Sequence, residues 1–381
     1  MNLRDVILEL GNSALRNPEA YIAAGHNGPY NDNDTIIRNY GHWIMIFSSL
    51  YKWTAKNSIK DKINELSEIF LSDRFQPNGK SYIHRNTPNQ DKCNGLIGQA
   101  WTMETLGELS QTLKEPYFSC IAENLFFAHN FNRKKGLWSG LEINGDILPI
   151  DVTFNHQLWF AACALQIQGP RREEIIEVVS LFLDKCLGNL TILENGIIFH
   201  PIKKELEMIL HSNLKFKRII KNPSNAFRSI IKLRKNSNYT KRMVYKSLGY
   251  HSFNMYAFGM ISEILDNHPI WMSDEMSILK NCLVTKNYKV FLDDNIYSYD
   301  YNPPGYEVPY ALETLSKLGS YSLLKECKWW IEKQLSRSYN SKRMIMETVN
   351  GDYLTHTARI YEATRLSSKI LDLDLNFKVV N

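Results

Sequence analysis

The sequence predicts an all-α protein, a closed (α/α)6 toroid of six inner and six outer helices with short β-hairpins at one rim. Three observations carry this expectation. Segments apolar on nearly every side alternate strictly with amphipathic segments, six of each. The apolar class recurs at nearly even steps, except for one long step between the third and fourth. No Gly/Pro/Ser-rich linker divides the chain, so residues 1–381 read as one toroid domain. A helix that is apolar all round is a buried helix. Helix pairs in series either stack as an open solenoid or close into a ring, and buried inner members favour the ring.

In chain order, the outer helices are expected at Leu3–Arg16, Ser58–Leu71, Pro116–Asn130, Arg171–Leu187, Ser273–Val284 and Tyr321–Leu335, each with its charges on one face. The inner helices are expected at Thr35–Thr54, Asn94–Thr112, Asp151–Ile167, Tyr250–Leu265, Tyr306–Leu318 and Asp352–Leu366. Between an outer helix and the next inner one lie stretches of strand and turn character: Gly79–His84, Gly136–Gly140, Gly196–His200, Asn295–Tyr301 and Lys342–Val349. These read as hairpin pieces around one rim.

Composition is that of an ordinary globular chain, 44 % apolar and 22 % charged, with aromatics at 12 % that suit a thick core or a ring-lined pocket. Met1–Asp5 opens straight into an amphipathic pattern rather than a signal peptide, and no run is apolar enough to span a membrane. The six cysteines lack CxxC spacing and read as reduced, buried small side chains, without a metal site or cofactor. A soluble cytoplasmic protein is the expectation.

In a ring of this kind the N-terminal ends of the inner helices converge. Those ends are polar: Asn31–Thr35 with Arg38 and His42; Asn89–Gly95 with Gln99 and Trp101; Asp151–Trp159; Tyr250–Tyr256; Tyr301–Tyr310; and Asp352–Arg359. Helix capping accounts for single residues such as Thr35, Asp151 or Asp352. It does not account for His156, Trp159, His251, Tyr256, Glu307, Tyr310 or Arg359, one or two turns inside apolar helices. An unpaired buried polar group costs about 1–3 kcal/mol, so this many at one level predicts a water-filled pocket.

The chemistry these residues allow is acid–base. Asp91, Asp151, Glu307, His156 and His251 are the candidate catalytic groups, because carboxyls and imidazoles in a partly dry pocket transfer protons near neutral pH. Two carboxyls flanking a glycosidic oxygen are what glycoside cleavage requires. Arg38, His42, Asn94, Gln99, Trp101, Trp159, Tyr256, Tyr301, Tyr306, Asp352 and Arg359 are the candidate binding groups, with rings to stack on sugars and polar groups to hold hydroxyls or a carboxylate. No GxGxxG, P-loop, HExxH or GxSxG is present, which leaves dinucleotide, NTP, zincin and α/β-hydrolase functions without support.

This architecture resembles the six-hairpin (α/α)6 superfamily of sugar enzymes, which holds unsaturated-uronyl hydrolases, glucuronyl C5-epimerases, N-acylglucosamine 2-epimerases and polysaccharide lyases. The resemblance implies a carbohydrate-active enzyme on an oligo- or polysaccharide, a uronate-containing one among the candidates. It implies a glycoside hydrolase first, with Asp151 as proton donor and Asp91 as its partner, since the uronyl hydrolases use two aspartates at the starts of successive inner helices. Asn302-Pro303-Pro304-Gly305-Tyr306 is similar to the funnel loops of the C5-epimerases. An epimerase or lyase would use Tyr256, His251 and Arg359. A glycan-binding protein without catalysis is the alternative of a different class.

The long step contains a basic stretch, residues 203–248, with thirteen Lys/Arg against two Glu. Apolar residues such as Phe216, Ile219, Phe227 and Ile230 alternate with the cations, as on a helix that lies on an anionic membrane. The expected partner is an anionic inner-membrane surface or an acidic polysaccharide, against the plainer alternative of a solvated excursion. No recognition motif accompanies the charge, so nucleic acid is not expected.

Overall fold

The computed structural model describes residues 1–203, 238–316 and 319–380. The inner helices run Ile37–Thr54, Gly95–Leu113, Phe154–Ala164, Asn238–Ser262, Pro304–Leu315 and Tyr353–Ala358, the last continuing as a 3-10 helix over Arg359–Arg365. Each packs on the next in chain order, and the sixth returns to the first, which closes the ring. The all-round apolar pattern explains the inner position: in the second inner helix Leu96, Ile97, Ala100, Met103 and Leu106 are all buried.

The outer helices are Leu3–Arg16, Asn57–Ser67, Pro116–Ala128, Arg172–Asn189, Asp274–Cys282 and Ser320–Ser338. They bury one stripe each, as Leu3, Val6, Ile7, Leu10 and Ala14 do in the first. That helix starts on a capping box in which Asn2 and Asp5 satisfy each other's backbone N–H groups. Two short helices, Lys286–Leu292 and Ser368–Leu371, were not legible in the pattern. Buried apolar side chains from both rings join one continuous cluster.

The rim is less regular than expected. Strands β1 (Phe131–Asn132), β2 (Leu137–Leu141) and β3 (Ile147–Ile150) form an antiparallel sheet with Phe131 opposite Trp138 and Ser139 opposite Ile150. A second hairpin pairs β4 (Tyr339–Asn340) with β5 (Ile345–Met346). The stretch Gly196–His200 makes only the isolated bridge of Ile198 to Ile192, and Gly79–His84 is not a strand. Asn295–Tyr301 is a chain of turns, because the Asn295 side chain takes the Tyr297 N–H and its carbonyl takes that of Ser298.

The fourth inner helix also departs from expectation. It is helical from Asn238, well before the expected start at Tyr250, because Met243, Ser247 and Tyr250 fall on one buried stripe. The end of the basic stretch is therefore part of the ring. Residues 204–237, on which the membrane expectation mainly rests, lie outside the described residues. Among the described residues no helix is long and apolar enough to cross a membrane. Five cysteines are buried and reduced as expected, whereas Cys120 is exposed.

Candidate active site

At one mouth of the ring, rim loops and inner-helix ends enclose a cavity of about 250 Å³. Its wall is formed by Asn27, Tyr30, Asp32, Arg85, Gln90, Asn94, Ile97, Trp101, Thr153, Asn155, His156, His200, Lys246, Tyr250, Phe253, Tyr301, Asn302 and Arg359. Aromatic faces and amide or guanidinium donors alternate round it, the mixture that binds a compact polar ligand.

One acid–base unit opens onto this cavity. His156 lies in the first turn of the third inner helix, and its Nδ1 is 2.8 Å from Asp151 Oδ2. An ionised carboxylate only accepts, so Nδ1 carries the proton and Nε2 remains as the basic nitrogen. Burial alone would push the Asp151 carboxyl up. The neighbouring His156 and the N–H groups of Thr153 and Leu96 outweigh that and hold it below its ordinary value. Gln157 sets the geometry: its amide clamps the Trp138 backbone on β2 and the Asp151 carbonyl, at 2.8–2.9 Å.

Further groups on the wall come from other elements. His200, at the end of the third rim loop, packs on the Tyr250 ring at 4.8 Å, and its Nδ1 has no partner. Burial, with Lys246 and His156 close by, keeps its pKa well below the usual imidazole value, so it is neutral at pH 7. The Tyr30 and Tyr250 hydroxyls meet at 2.7 Å. Asp32 is the carboxylate on the wall, and it accepts from Asn27 at 2.8 Å and Gln90 at 3.4 Å with Arg85 3.7 Å away.

The structure brings together five of the residues singled out in the sequence: His156, Asn94, Trp101, Tyr301 and Arg359 line the cavity. Asp151 stands behind His156. Asp91 does not line the cavity; Arg85 binds it at 2.6 Å and it takes the Gly95 N–H at 2.7 Å, as Asp151 takes that of Leu96. The expected open pair of Asp91 and Asp151 is thus replaced by two carboxylates spent on the start of the second inner helix. Asp352 is also occupied, capping Thr355 and taking the His26 and Gly28 N–H groups, which ties the last helix pair to the first. Glu307 is buried beneath the wall, held by Ser252 at 2.6 Å and Arg359 at 3.0 Å.

The remaining candidates lie away from the cavity for identifiable reasons. Gln99 spends its amide on the Tyr82 and Cys93 backbone. His251 accepts the Ile198 N–H and faces the Leu279 carbonyl, and burial lowers its pKa to about 4. Gln99, Gln157, His251 and Thr357 each take a backbone N–H from a rim loop, so they are one repeated clamp between inner helix and rim. Arg38 lies over the Trp101 ring at 4.2 Å, and His42 stacks on Tyr361. Trp159 and Tyr256 stack in the core, and the Tyr306 hydroxyl meets only the Met346 sulfur. Sequence reasoning missed Tyr30, Asp32, Arg85, His200, Lys246 and Tyr250 as site residues, although each stood in or beside a polar rim stretch.

Among the described residues, Asp91, Cys93 and Glu142 bring potential metal ligands within 4.8 Å of one another. Arg85 already neutralises Asp91, and burial with the adjacent carboxylate drives the Cys93 thiol far up, so the group suits a cation poorly.

The ring of six helix pairs with a polar, aromatic-walled cavity at its mouth defines an (α/α)6-toroid protein, and solved structures of that fold match nearly the whole chain. A D-mannose isomerase superimposes with a TM-score of 0.59 over 97 % of this chain and 96 % of its own, at 9 % identity. The cellobiose 2-epimerase of Bacillus thermoamylovorans gives 0.57 over 93 % and 98 %, at 10 % identity. An inactive α-1,6-mannanase variant of Salegentibacter sp., in complex with α-1,6-mannotriose, gives 0.55 over 96 % and 100 %, at 9 % identity. No protein-family model matches the chain. The archaeal glycosylation protein Q of Haloferax volcanii is 32 % identical over 367 residues, 95 % of this chain and 96 % of that protein. The chain belongs to the family of archaeal glycosylation protein Q.

Proposed function

We propose that this protein is a carbohydrate-active enzyme that transfers a proton at a sugar carbon, as an epimerase or isomerase does, with Nε2 of His156 as the base. The observation that carries this reading is the Asp151–His156 pair, 2.8 Å apart, presenting a basic nitrogen to a cavity walled by Trp101, Tyr250, Tyr301 and amide donors. His156, once protonated, can return the proton to the carbon, while His200 and the Tyr30–Tyr250 hydroxyl pair are available to hold sugar oxygens. Trp101 and Tyr301 offer faces for a sugar ring, and Asn94, Gln90 and Asn302 offer hydroxyl partners. The relative's name, a glycosylation protein, supports a sugar as ligand.

Hydrolysis is the second reading, and Asp32 is the observation that favours it, as a carboxylate on the cavity wall. The second carboxylate that a glycosidase needs is not on that wall among the described residues; Asp91, Asp151 and Glu307 are held as described. One experiment separates the two. The protein is incubated in D2O with a panel of monosaccharides and oligosaccharides, and the products are read by NMR. Deuterium on a sugar carbon, lost in His156→Asn, is the expected result. New reducing ends without carbon-bound deuterium would assign hydrolysis, and sugars bound but unchanged would assign a binding protein.

A further inference from the structure

Among the described residues three cations line the cavity, and two are already matched. Arg85 binds Asp91 at 2.6 Å with Asp32 3.7 Å away. Arg359 binds Glu307 at 3.0 Å and Glu362 at 2.5 Å. Lys246 differs. Among the described residues no carboxylate pairs with its ammonium, and no side-chain hydrogen bond holds it. Its ammonium lies over three tyrosine rings instead, 4.9 Å from the centroid of Tyr30, 5.4 Å from Tyr250 and 5.9 Å from Tyr297.

We propose that Lys246 is the docking cation for an acidic group, a carboxylate or a phosphate, carried by the sugar that enters this cavity. The inference rests on the reading of the cavity as a sugar site and names the class of sugar. Ring faces hold the ammonium in place and leave its N–H groups free to donate to a ligand in the cavity, for which an oxyanion is the best-matched acceptor. The surroundings disfavour an unmatched charge. Burial, and after it Arg242 one helical turn away on the same face, together lower the Lys246 pKa to about 8. Two cations four residues apart repel. An anion bound on the cavity side of the ammonium, away from the ring faces, offsets both costs. His200 contributes in the same direction: neutral, with an unpartnered Nδ1 and its ring on Tyr250, it stands beside the ammonium without adding charge.

The test compares three probes that share one hexose ring, glucose, glucuronate and glucose 6-phosphate, by calorimetric titration of the full chain at low salt. Glucuronate, glucose 6-phosphate or both are expected to bind about tenfold more tightly than glucose, as a charge-assisted contact allows. The one that gains identifies the acidic group as carboxylate or phosphate. Lys246→Met, which keeps the aliphatic stem on the tyrosines, should bind all three as wild type binds glucose. Lys246→Arg should retain the preference, which guards against a fold defect in the methionine variant. Equal binding of all three by wild type overturns the proposal while leaving a sugar site intact, and so does a preference that survives in Lys246→Met. Failure of all three to bind overturns the sugar-site reading together with it.

Discussion

Which nitrogen of His156 carries the proton depends on Asp151, and this is a property a single substitution can reverse. In Asp151→Asn the side chain keeps its size, but its amide presents a donor where an acceptor stood, and the imidazole is free to protonate at Nε2. Nitrogen-15 NMR of labelled histidine should show His156 moving from the Nδ1–H to the Nε2–H tautomer. Turnover in the deuterium assay should fall on the order of 10²–10⁴-fold, the range for losing a positioned base or its tautomer. An unchanged tautomer would mean that the pair is only a helix-start contact. His156 stood out in the sequence because an apolar helix leaves a polar group little choice but a pocket or a partner. The same signature marked Gln99 and His251, and there the partner is a backbone N–H of a rim loop. Burial demands satisfaction without naming the satisfier, so catalytic groups and clamps looked alike until the loops were placed.

At the scale of elements, the site depends on how the second inner helix begins. Asn94 and Gly95 are both left-handed, with φ of 57° and 55°, and this double turn drops the Gly95 and Leu96 N–H groups onto Asp91 and Asp151. A Cβ on Gly95 would lie 2.7 Å from Asp151 Oδ2 and 3.2 Å from His156 Nδ1. Gly95→Ala should therefore cost about 1–3 kcal/mol from the left-handed backbone and also displace the pair. Urea denaturation reads the first effect and the NMR tautomer the second; wild-type behaviour in both would show that the turn has slack. The alternation of apolar and amphipathic segments made all twelve ring helices legible, because burial of a whole helix or of one stripe is written locally. The rim was less so. Asn295–Tyr301 looked like a strand from its alternating tyrosines, but the Asn295 side chain and carbonyl accept the Tyr297 and Ser298 N–H groups a strand would need. The early start of the fourth inner helix was hidden by Lys241 and Arg242 ahead of Met243 and by Lys246 between Met243 and Tyr250.

For the whole ring, the question is how it tolerates charge on its axis. Beneath the cavity Arg359 holds Glu307 and Glu362, all three almost fully buried. Burial pushes Glu362 up from 4.5 to about 7 even though Arg359 pulls it down, and it pushes Glu307 up as well, aided by its acidic neighbour. At these two glutamates the folded state therefore binds more protons than the unfolded one. The contribution of Glu362 is complete below pH 4.5 and declines as pH rises through about 7. Arg359→Met removes the cation and pushes both carboxyls higher still. At pH 5 they are protonated, and the variant loses mainly hydrogen bonds. At pH 8 the folded state must bury unpaired carboxylates or hold protons against the solvent, and the deficit should reach about 3–5 kcal/mol, the usual cost of breaking a buried pair. Urea midpoints taken from pH 5 to pH 8 give the answer. A deficit that widens with pH assigns Arg359 to charge balance beneath the site. A deficit of constant size would mean that Arg359 contributes through its contacts with the Tyr301 carbonyl and Asn302, and that the two glutamates stay protonated in the wild-type ring.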